Sequence, residues 1–197
     1  MNICVYGASS NTIDPVFLQA GEALGLAMAQ RGHRLVFGGG AGGLMGAVAR
    51  GMTRGGGEII GVAPRFFDVD GVLYPHCTEF VYTETMRERK AIMEERADAF
   101  IMTPGGIGTL EEFYEIATLR QLGRHNKPIA MLNTKDYYRP ILEMWEQAIS
   151  HGFMTAACRE LFTMFSEPAP LLDALEQAQG KTLDLYEMKR VQRRTDP

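Results

Sequence analysis

The sequence has few residues of the kinds that build metal centres and disulfide frameworks. It contains three cysteines, an odd number, and none of them stands in a C-x-x-C or other metal-ligand spacing. Unpaired cysteines are typical of proteins in a reducing compartment. We therefore expect a cytoplasmic protein without a bound metal.

Long apolar runs and an excess of positive charge are also absent. No stretch reaches the roughly 20 apolar residues that span a bilayer, and the opening MNICVYG enters a strand-like segment rather than a signal peptide. The formal net charge of −4 gives no basic field that would attract nucleic acid. Membranes and nucleic acids are therefore not expected partners.

Short apolar runs alternate with helical segments along the 197 residues. The first helical segment has clear boundaries, with Asp14 as N-cap, Pro15 in the first turn and Gly32 as the stop. Such alternation predicts an α/β fold: a single Rossmann-like domain whose parallel sheet is covered by helices on both faces. We place this domain at residues 1–180 and a C-terminal tail at 181–197.

Three predicted strand-to-helix loops have unusual sequences: YGASSNTID at 6–14, FGGGAGGLMG at 37–46 and TPGGIGTLEE at 103–112. Parallel sheets bind ligands at the carboxyl ends of their strands, where these loops lie. Glycine lets the backbone approach a ligand closely, and a helix start presents unpaired N–H groups and partial positive charge. Any one of the loops could equally be a tight turn, but together they predict an anion site, most often for phosphate.

The glycine run GGGAGG at 38–43 satisfies G-x-G-x-x-G without indicating a dinucleotide site. It follows the second predicted strand rather than the first, and the next strand, EIIGVAP, ends without the acidic residue that would hold an NAD ribose. The chain also lacks the G-x-x-x-x-G-K-[ST] motif of a P-loop. An NAD dehydrogenase and a P-loop protein are therefore poor fits.

Two sequence motifs, together with the stretches FGGGAGGLMG and GVAP, give this chain a resemblance to the LOG ("lonely guy") family of cytokinin riboside 5′-monophosphate phosphoribohydrolases. PGGIGTLEE at 104–112 is similar to P-G-G-x-G-T-x-x-E, and TMRERK at 85–90 is similar to Met-x-x-Arg-Lys. The resemblance covers residues 2–165. It implies hydrolysis of the bond between an adenine-type base, prenylated or plain, and ribose 5′-phosphate. It also implies a Rossmann-like fold, assembly into dimers or larger units, and no metal or redox cofactor.

The resemblance implies roles for individual residues. Arg89 and Glu112 are the implied catalytic pair. The implied substrate-binding residues are Ser9, Gly43, Met86, Lys90, Gly105, Gly106, Gly108 and Thr109. The sequence departs from the family pattern in two places: the first loop has Gly7-Ala8 where Cys-Gly is usual, and Arg87 stands where histidine is common.

The chemistry of N-glycosidic cleavage agrees with the implied pair. Its transition state carries positive charge on the sugar, and a carboxylate such as Glu112 can stabilise that charge, hold a sugar hydroxyl or activate water. Arg89 is permanently protonated, so it is a poor acid but can offset the negative charge of the departing base. No histidine stands out as the proton donor.

Each member of the pair also has a structural interpretation. Thr109-x-x-Glu112 fits a capping box, in which Thr109 would be the N-cap and Glu112 would reach back to its N–H. Arg89 could lay its apolar stem on the core and keep its charged head in water.

Other functions are compatible with parts of the sequence. A carrier of nucleotide or molybdenum cofactor would need the glycine loops but not the Arg89–Glu112 pair. A nucleosidase acting on plain AMP shares every motif, because the pocket for a base substituent is not legible in the sequence. A PLP-dependent lysine decarboxylase would need a lysine in a Schiff-base setting, and we find none.

The helix predicted at 109–122 is apolar on more than one side. Phe113 and Ala117 lie on its core stripe, whereas Tyr114, Leu119 and Leu122 lie off it. Such a helix is usually covered on more than one face. Together with the resemblance, this pattern predicts a homodimer with the motif helices at or near the contact.

Overall fold

The computed structural model describes residues 1–178, 182–184 and 188. Within them the strands are β1 (Asn2–Tyr6), β2 (Arg34–Phe37), β3 (Ile59–Pro64), β4 (Glu79–Thr83), β5 (Ala99–Met102), β6 (Ile129–Leu132) and β7 (Thr163–Phe165). The α-helices are α1 (Pro15–Gln30), α2 (Gly43–Arg54), α3 (Met86–Arg96), α4 (Ile107–Gln121), α5 (Arg139–Ser150) and α6 (Pro168–Ala178). None of these helices is both long and apolar enough to cross a membrane.

All strands belong to one parallel sheet in the order β4-β3-β2-β1-β5-β6-β7. The chain builds outwards from β1 to β4 and then returns to the other side of β1 with β5. The sheet therefore reverses its order between β1 and β5, which is where open α/β sheets form a ligand crevice. The loops after β2, β1 and β5 lie side by side at this edge, so the three glycine-rich loops come together.

Each face of the sheet has its own hydrophobic core, because successive strand residues point to opposite sides. On β5, Phe100 and Met102 belong to one core, whereas Ala99 and Ile101 belong to the other. Helices α3, α4 and α5 complete the first core, and α1, α2 and α6 complete the second. The predicted α/β fold, with helices on both faces of a parallel sheet, is confirmed.

The start of α1 follows its sequence signals. The Asp14 side chain accepts a hydrogen bond from the Val16 N–H, and Pro15 stands in the first turn. Gly32 follows the end of the helix with a φ of 71°, in the left-handed region that glycine favours. These boundaries are as predicted.

The start of α4 differs from the prediction. The helix begins at Ile107 with Gly106 as N-cap, because the Leu110 N–H already bonds to the Gly106 carbonyl, and glycine has no side chain that could cap the helix. Thr109 therefore lies inside the first turn with helical backbone, and the predicted Thr109–Glu112 capping box is wrong. The Glu112 side chain therefore has no capping role at the start of α4.

The predicted tail at 181–197 lies outside the described residues, apart from 182–184 and 188. Of these, Leu183 and Met188 pack against the core formed with α3, α4 and α5. The domain boundary at residue 180 stays a prediction.

Candidate active site

Two adjoining clefts open at the carboxyl edge of the sheet. The glycine-loop cleft, of about 410 Å³, runs along the loop after β2 and the segment 65–73. The α4 cleft, of about 360 Å³, lies between the loop after β1 and the first turn of α4. Ser9, Met45 and Arg89 line both clefts and therefore mark their junction.

The glycine-loop cleft is bounded mainly by bare backbone and apolar side chains. Gly38, Gly40 and Gly42 form part of its wall. Its apolar side chains are Met45, Phe67, Val72, Leu73 and Met86. A flat, weakly polar molecule can contact both kinds of surface, because glycine backbone allows close approach.

The α4 cleft is bounded by the start of a helix. Gly106, Ile107, Gly108 and Thr109 line it, and a Cβ added at Gly106 or Gly108 would meet no other atom within 4 Å. The first N–H groups of a helix have no acceptor within the helix and carry partial positive charge. This wall of the cleft is therefore suited to an anion such as phosphate.

A buried ion pair lies where the two clefts meet. The Arg89 Nη1 atom donates to Glu112 Oε1 at 3.1 Å, and Arg89 Nε donates to the Val62 carbonyl at 3.2 Å. The side chains are only 7% and 12% exposed. The interpretation of Arg89 as a residue with its head in water is therefore wrong, because its guanidinium is enclosed by β3 and α4.

Burial controls the protonation of Glu112. Removal from water raises the pKa of its carboxyl group, and the charge and hydrogen bond of Arg89 lower it, with burial the larger effect. The pKa therefore lies above that of an ordinary glutamate. A carboxylate with a raised pKa is a stronger proton acceptor than one in water, which is the property that a general base needs.

Two local features place Arg89 in the junction. A capping box fixes the start of α3, in which the Thr85 side chain accepts from the Glu88 N–H and Glu88 accepts from the Thr85 N–H. Gly38 then leaves room for the guanidinium, since a Cβ there would lie 1.9 Å from Arg89 Nη2. The sequence alone did not identify Gly38 as a neighbour of Arg89, although it lies within the glycine run.

The structure brings most of the predicted site residues together. Ser9, Met86, Gly106, Gly108 and Thr109 line the clefts with Arg89 and Glu112. Two other predicted residues, Gly43 and Gly105, lie next to residues that line the clefts. The Gly43 N–H donates to Asn11 Oδ1 at 2.8 Å, and a Cβ at Gly105 would lie 2.1 Å from Thr109 Oγ1.

Lys90 is oriented differently from its neighbour Arg89. Its ammonium group forms ion pairs with Glu111 and, at 2.8 Å, with Glu115, so it links α3 to α4. The structure therefore places Lys90 between the helices rather than on the wall of either cleft. Its predicted contact with substrate would require these pairs to open.

Several residues that line the clefts were not predicted from the sequence. Asn11 and Met45 line the clefts, and Phe67, Val72 and Leu73 come from a segment that has no regular periodicity. The clearest signal was in this last segment, FFDVDGVLY, because its apolar residues fit neither a strand nor a helix. A loop that keeps large apolar residues near a glycine-rich edge is a candidate wall for a pocket.

The described residues offer few side chains for a metal or for PLP. Among them, no group of three or more His, Cys, Asp or Glu is arranged to hold a metal ion. No lysine lines either cleft among the same residues. PLP enzymes bind their cofactor through a lysine Schiff base, so these clefts do not fit that cofactor.

The fold is that of a Rossmann-like α/β protein, and its two clefts form a candidate small-molecule site at the switch point of the sheet. A family model described as "Possible lysine decarboxylase" matches residues 45–175. A probable cytokinin riboside 5′-monophosphate phosphoribohydrolase of Oryza sativa subsp. japonica is 39% identical over 176 residues, which cover 89% of this chain and 76% of the relative. A cytokinin riboside 5′-monophosphate phosphoribohydrolase of Rhodococcoides fascians is 44% identical over 142 residues, 72% of each chain. The chain belongs to the LOG family of phosphoribohydrolases, as its motifs predicted.

Solved structures resemble the chain in fold. The molybdenum cofactor carrier protein of Chlamydomonas reinhardtii superposes with a TM-score of 0.68 at 21% identity, covering 90% of this chain and 96% of the carrier. At this identity the likeness concerns the architecture alone.

The Gly38→Ala substitution is expected to move the Arg89 guanidinium away from Glu112, because the new methyl group would lie 1.9 Å from Nη2. Arg89 lowers the pKa of Glu112, so its displacement should raise that pKa further. NMR titration of ¹³C-labelled glutamate side chains measures the change. Gly40→Ala is the control, since its methyl group would meet only the flexible end of Met45 at 3.0 Å. An unchanged pKa in Gly38→Ala would contradict this account of how Arg89 is held.

Proposed function

We propose that this protein hydrolyses the N-glycosidic bond of adenosine 5′-monophosphates, with N6-prenylated AMP as the preferred substrate. The products are the free base, a cytokinin when prenylated, and ribose 5-phosphate. One observation carries the proposal: the buried Arg89–Glu112 pair stands at the junction of two clefts, one suited to phosphate and the other to a base.

The 5′-phosphate binds in the α4 cleft. The N–H groups at the start of α4 donate to its oxygens, and Ser9 and Thr109 supply hydroxyl groups on the same walls. Gly106 and Gly108 support this contact because they add no side chain between the phosphate and the backbone. Lys90, Gly43 and Gly105 keep this region in shape through the contacts described above.

The base occupies the glycine-loop cleft. Bare backbone at Gly38 and Gly40 meets the flat ring, and Met45, Val72 and Met86 give an apolar surface for a prenyl substituent. Methionine side chains adapt to irregular apolar shapes. An apolar wall of this kind favours N6-prenylated AMP over plain AMP.

The ribose then lies between the clefts, beside the ion pair. The bond from C1′ to the base nitrogen breaks, and a bond from C1′ to a water oxygen forms. Glu112 stabilises the positive charge that develops on the sugar and accepts a proton from the attacking water. Arg89 offsets the negative charge on the departing base.

We also propose a cytoplasmic location. The cysteines Cys4, Cys77 and Cys158 are unpaired, and burial raises the thiol pKa of Cys4 to about 12 and that of Cys77 to about 11. Unpaired thiols are compatible with a reducing compartment.

The proposed function can be tested by asking whether hydrolysis requires the 5′-phosphate of the substrate. We expect release of free base from prenylated AMP, measured by chromatography, and much lower kcat/KM for the matching nucleoside, because binding energy from the phosphate orients the sugar in the transition state. A panel that adds AMP, GMP and CMP ranks the bases. Equal kcat/KM for nucleoside and nucleotide would refute the placement of phosphate at α4.

Arg89→Ala and Glu112→Gln should each lower kcat by about 100-fold or more, the usual effect of removing a positioned catalytic group. Glu112 has no capping role, so Glu112→Gln tests the carboxylate without disturbing the helix start. Glu111→Gln is the matched control, because Glu111 is on the same turn but pairs with Lys90. Full activity of Glu112→Gln, with folding checked by circular dichroism, would exclude the proposed role.

We propose that the working unit is a homodimer with α3 and α4 at the contact. Met86 is 41% exposed, Tyr114 42% and Ile107 88%, and all three project from these two helices. Leu122, at the end of α4, is 44% exposed. Ile107 also lines the α4 cleft, so a partner that covers it would help to enclose the phosphate site.

Light scattering at micromolar concentration should give about twice the 21.8 kDa chain mass, or a multiple of it. An obligate interface buries on the order of 2,000 Å² or more. A charge introduced at an apolar position inside it would be buried without a partner, so such a substitution should weaken the dimer. Tyr114→Glu is the test variant, and Phe153→Glu is the control because Phe153, 85% exposed, follows α5 instead. A fully active wild-type monomer would end this hypothesis.

A further inference from the structure

The loop that precedes α4 is held through three successive carbonyl groups. In this PGG loop (residues 103–106) the Thr103 carbonyl accepts from the Tyr138 hydroxyl at 2.6 Å, and the Gly105 carbonyl accepts from the Tyr137 hydroxyl at 2.7 Å. Between them, the Pro104 carbonyl accepts from the Ala8 N–H at 3.1 Å. A loop with three consecutive anchored peptides has little freedom to rotate any one of them.

Anchoring these carbonyls fixes the direction of the N–H groups that follow. In a planar trans peptide the C=O of one residue and the N–H of the next point in opposite directions. The hydrogen bond from Tyr137 to the Gly105 carbonyl therefore directs the Gly106 N–H away from Tyr137. Gly106 lines the α4 cleft, so an N–H turned away from Tyr137 is available to an anion there together with those of the first helical turn.

The two tyrosines come from a strained turn between β6 and α5. Lys135 and Asp136 have φ values of 55° and 58°, and left-handed backbone costs roughly 1–3 kcal/mol for a residue other than glycine. Asn133 holds the turn, since its Nδ2 donates to Asp136 Oδ1 at 2.8 Å and its Oδ1 accepts from the Tyr138 N–H at 2.7 Å. Backbone strain of this kind persists only where surrounding contacts fix it. Here the strained turn places the hydroxyl groups of two adjacent tyrosines within hydrogen-bonding distance of one loop.

We propose that Tyr137 and Tyr138 are positioning residues for phosphate recognition, and that their hydroxyl groups hold the PGG loop so that the N–H groups at the start of α4 face the cleft. This inference rests on the proposed function, because it assigns the phosphate to that cleft. Neither tyrosine lines a cleft, so both act through the loop.

The two tyrosines differ in burial, so the effect of losing a hydroxyl group on the loop can be distinguished from its effect on overall stability. Tyr138 is 1% exposed and belongs to the core, so loss of its hydroxyl group affects stability as well. Tyr137 is 44% exposed, and its ring packs edge-on against Phe17. Phenylalanine keeps both rings in place, and Tyr137→Phe removes a hydrogen bond with little change to the core.

The test compares Tyr137→Phe and Tyr138→Phe with wild type in the full chain. Calorimetry with ribose 5-phosphate should show affinity weakened about fivefold to tenfold in each variant, the effect of losing one hydrogen bond that orients a binding loop. KM for prenylated AMP should rise by a similar factor while kcat changes far less. Tyr74→Phe is the control, because it loses a hydroxyl hydrogen bond of 2.8 Å to Thr53 on α2, away from the PGG loop.

The outcomes separate this inference from the proposed function. Wild-type affinity for ribose 5-phosphate in both variants, even with a lower Tm, would overturn the positioning role, as would absence of ribose 5-phosphate binding by wild type. Weakened binding in the variants supports the role even when wild type hydrolyses no nucleotide, a result that would count against the proposed activity alone.

Discussion

The ion pair between Arg89 and Glu112 is the interaction on which the rest of the site depends. Removing two charges from water is expensive, and a single contact of 3.1 Å returns only part of that cost, so a buried pair contributes little net stability. Its value lies in orientation. The capping box of α3, the bare backbone at Gly38 and the early start of α4 are all needed to bring these two side chains together at the junction of the clefts.

The topology of the sheet explains why one edge carries all of this chemistry. The order reverses between β1 and β5, so the loops that follow these strands diverge to opposite faces and leave a crevice. The loop after β1 supplies Ser9, and the loop after β5 leads directly into α4. Next to them, the loop after β2 provides Gly38 and the wall of the second cleft. The same parallel arrangement buries every central strand on both faces, which fixes these loops to a rigid support.

Local signals were sufficient to predict the fold, and they failed where distant contacts decide the outcome. Alternating apolar runs and the cap at Asp14 depend on neighbours in sequence, and both predictions are confirmed. The Thr109–Glu112 capping box was wrong because the PGG loop places the N-cap of α4 at Gly106, so that the helix begins at Ile107. The depth of Arg89 was misjudged for a similar reason, since the room it occupies depends on Gly38, which is 51 positions earlier in the chain. Lys90, next to it, faces carboxylates of α4 that helical periodicity alone did not assign as its partners.

The Arg89–Glu112 ion pair also distinguishes this site from one that only binds a ligand without reacting with it. A carrier on this architecture needs glycine loops and a helix start to hold an anion, and those elements suffice for ground-state affinity. A carboxylate beside a bound phosphorylated sugar repels the phosphate and weakens that affinity. Burial raises the pKa of Glu112, which means that it also destabilises the charged form of this carboxylate. Such a group becomes favourable only when positive charge develops on the sugar, because interactions that strengthen in the transition state accelerate the reaction. The proposed catalysis therefore needs a buried glutamate held by one arginine at this junction, whereas storage of a ligand does not.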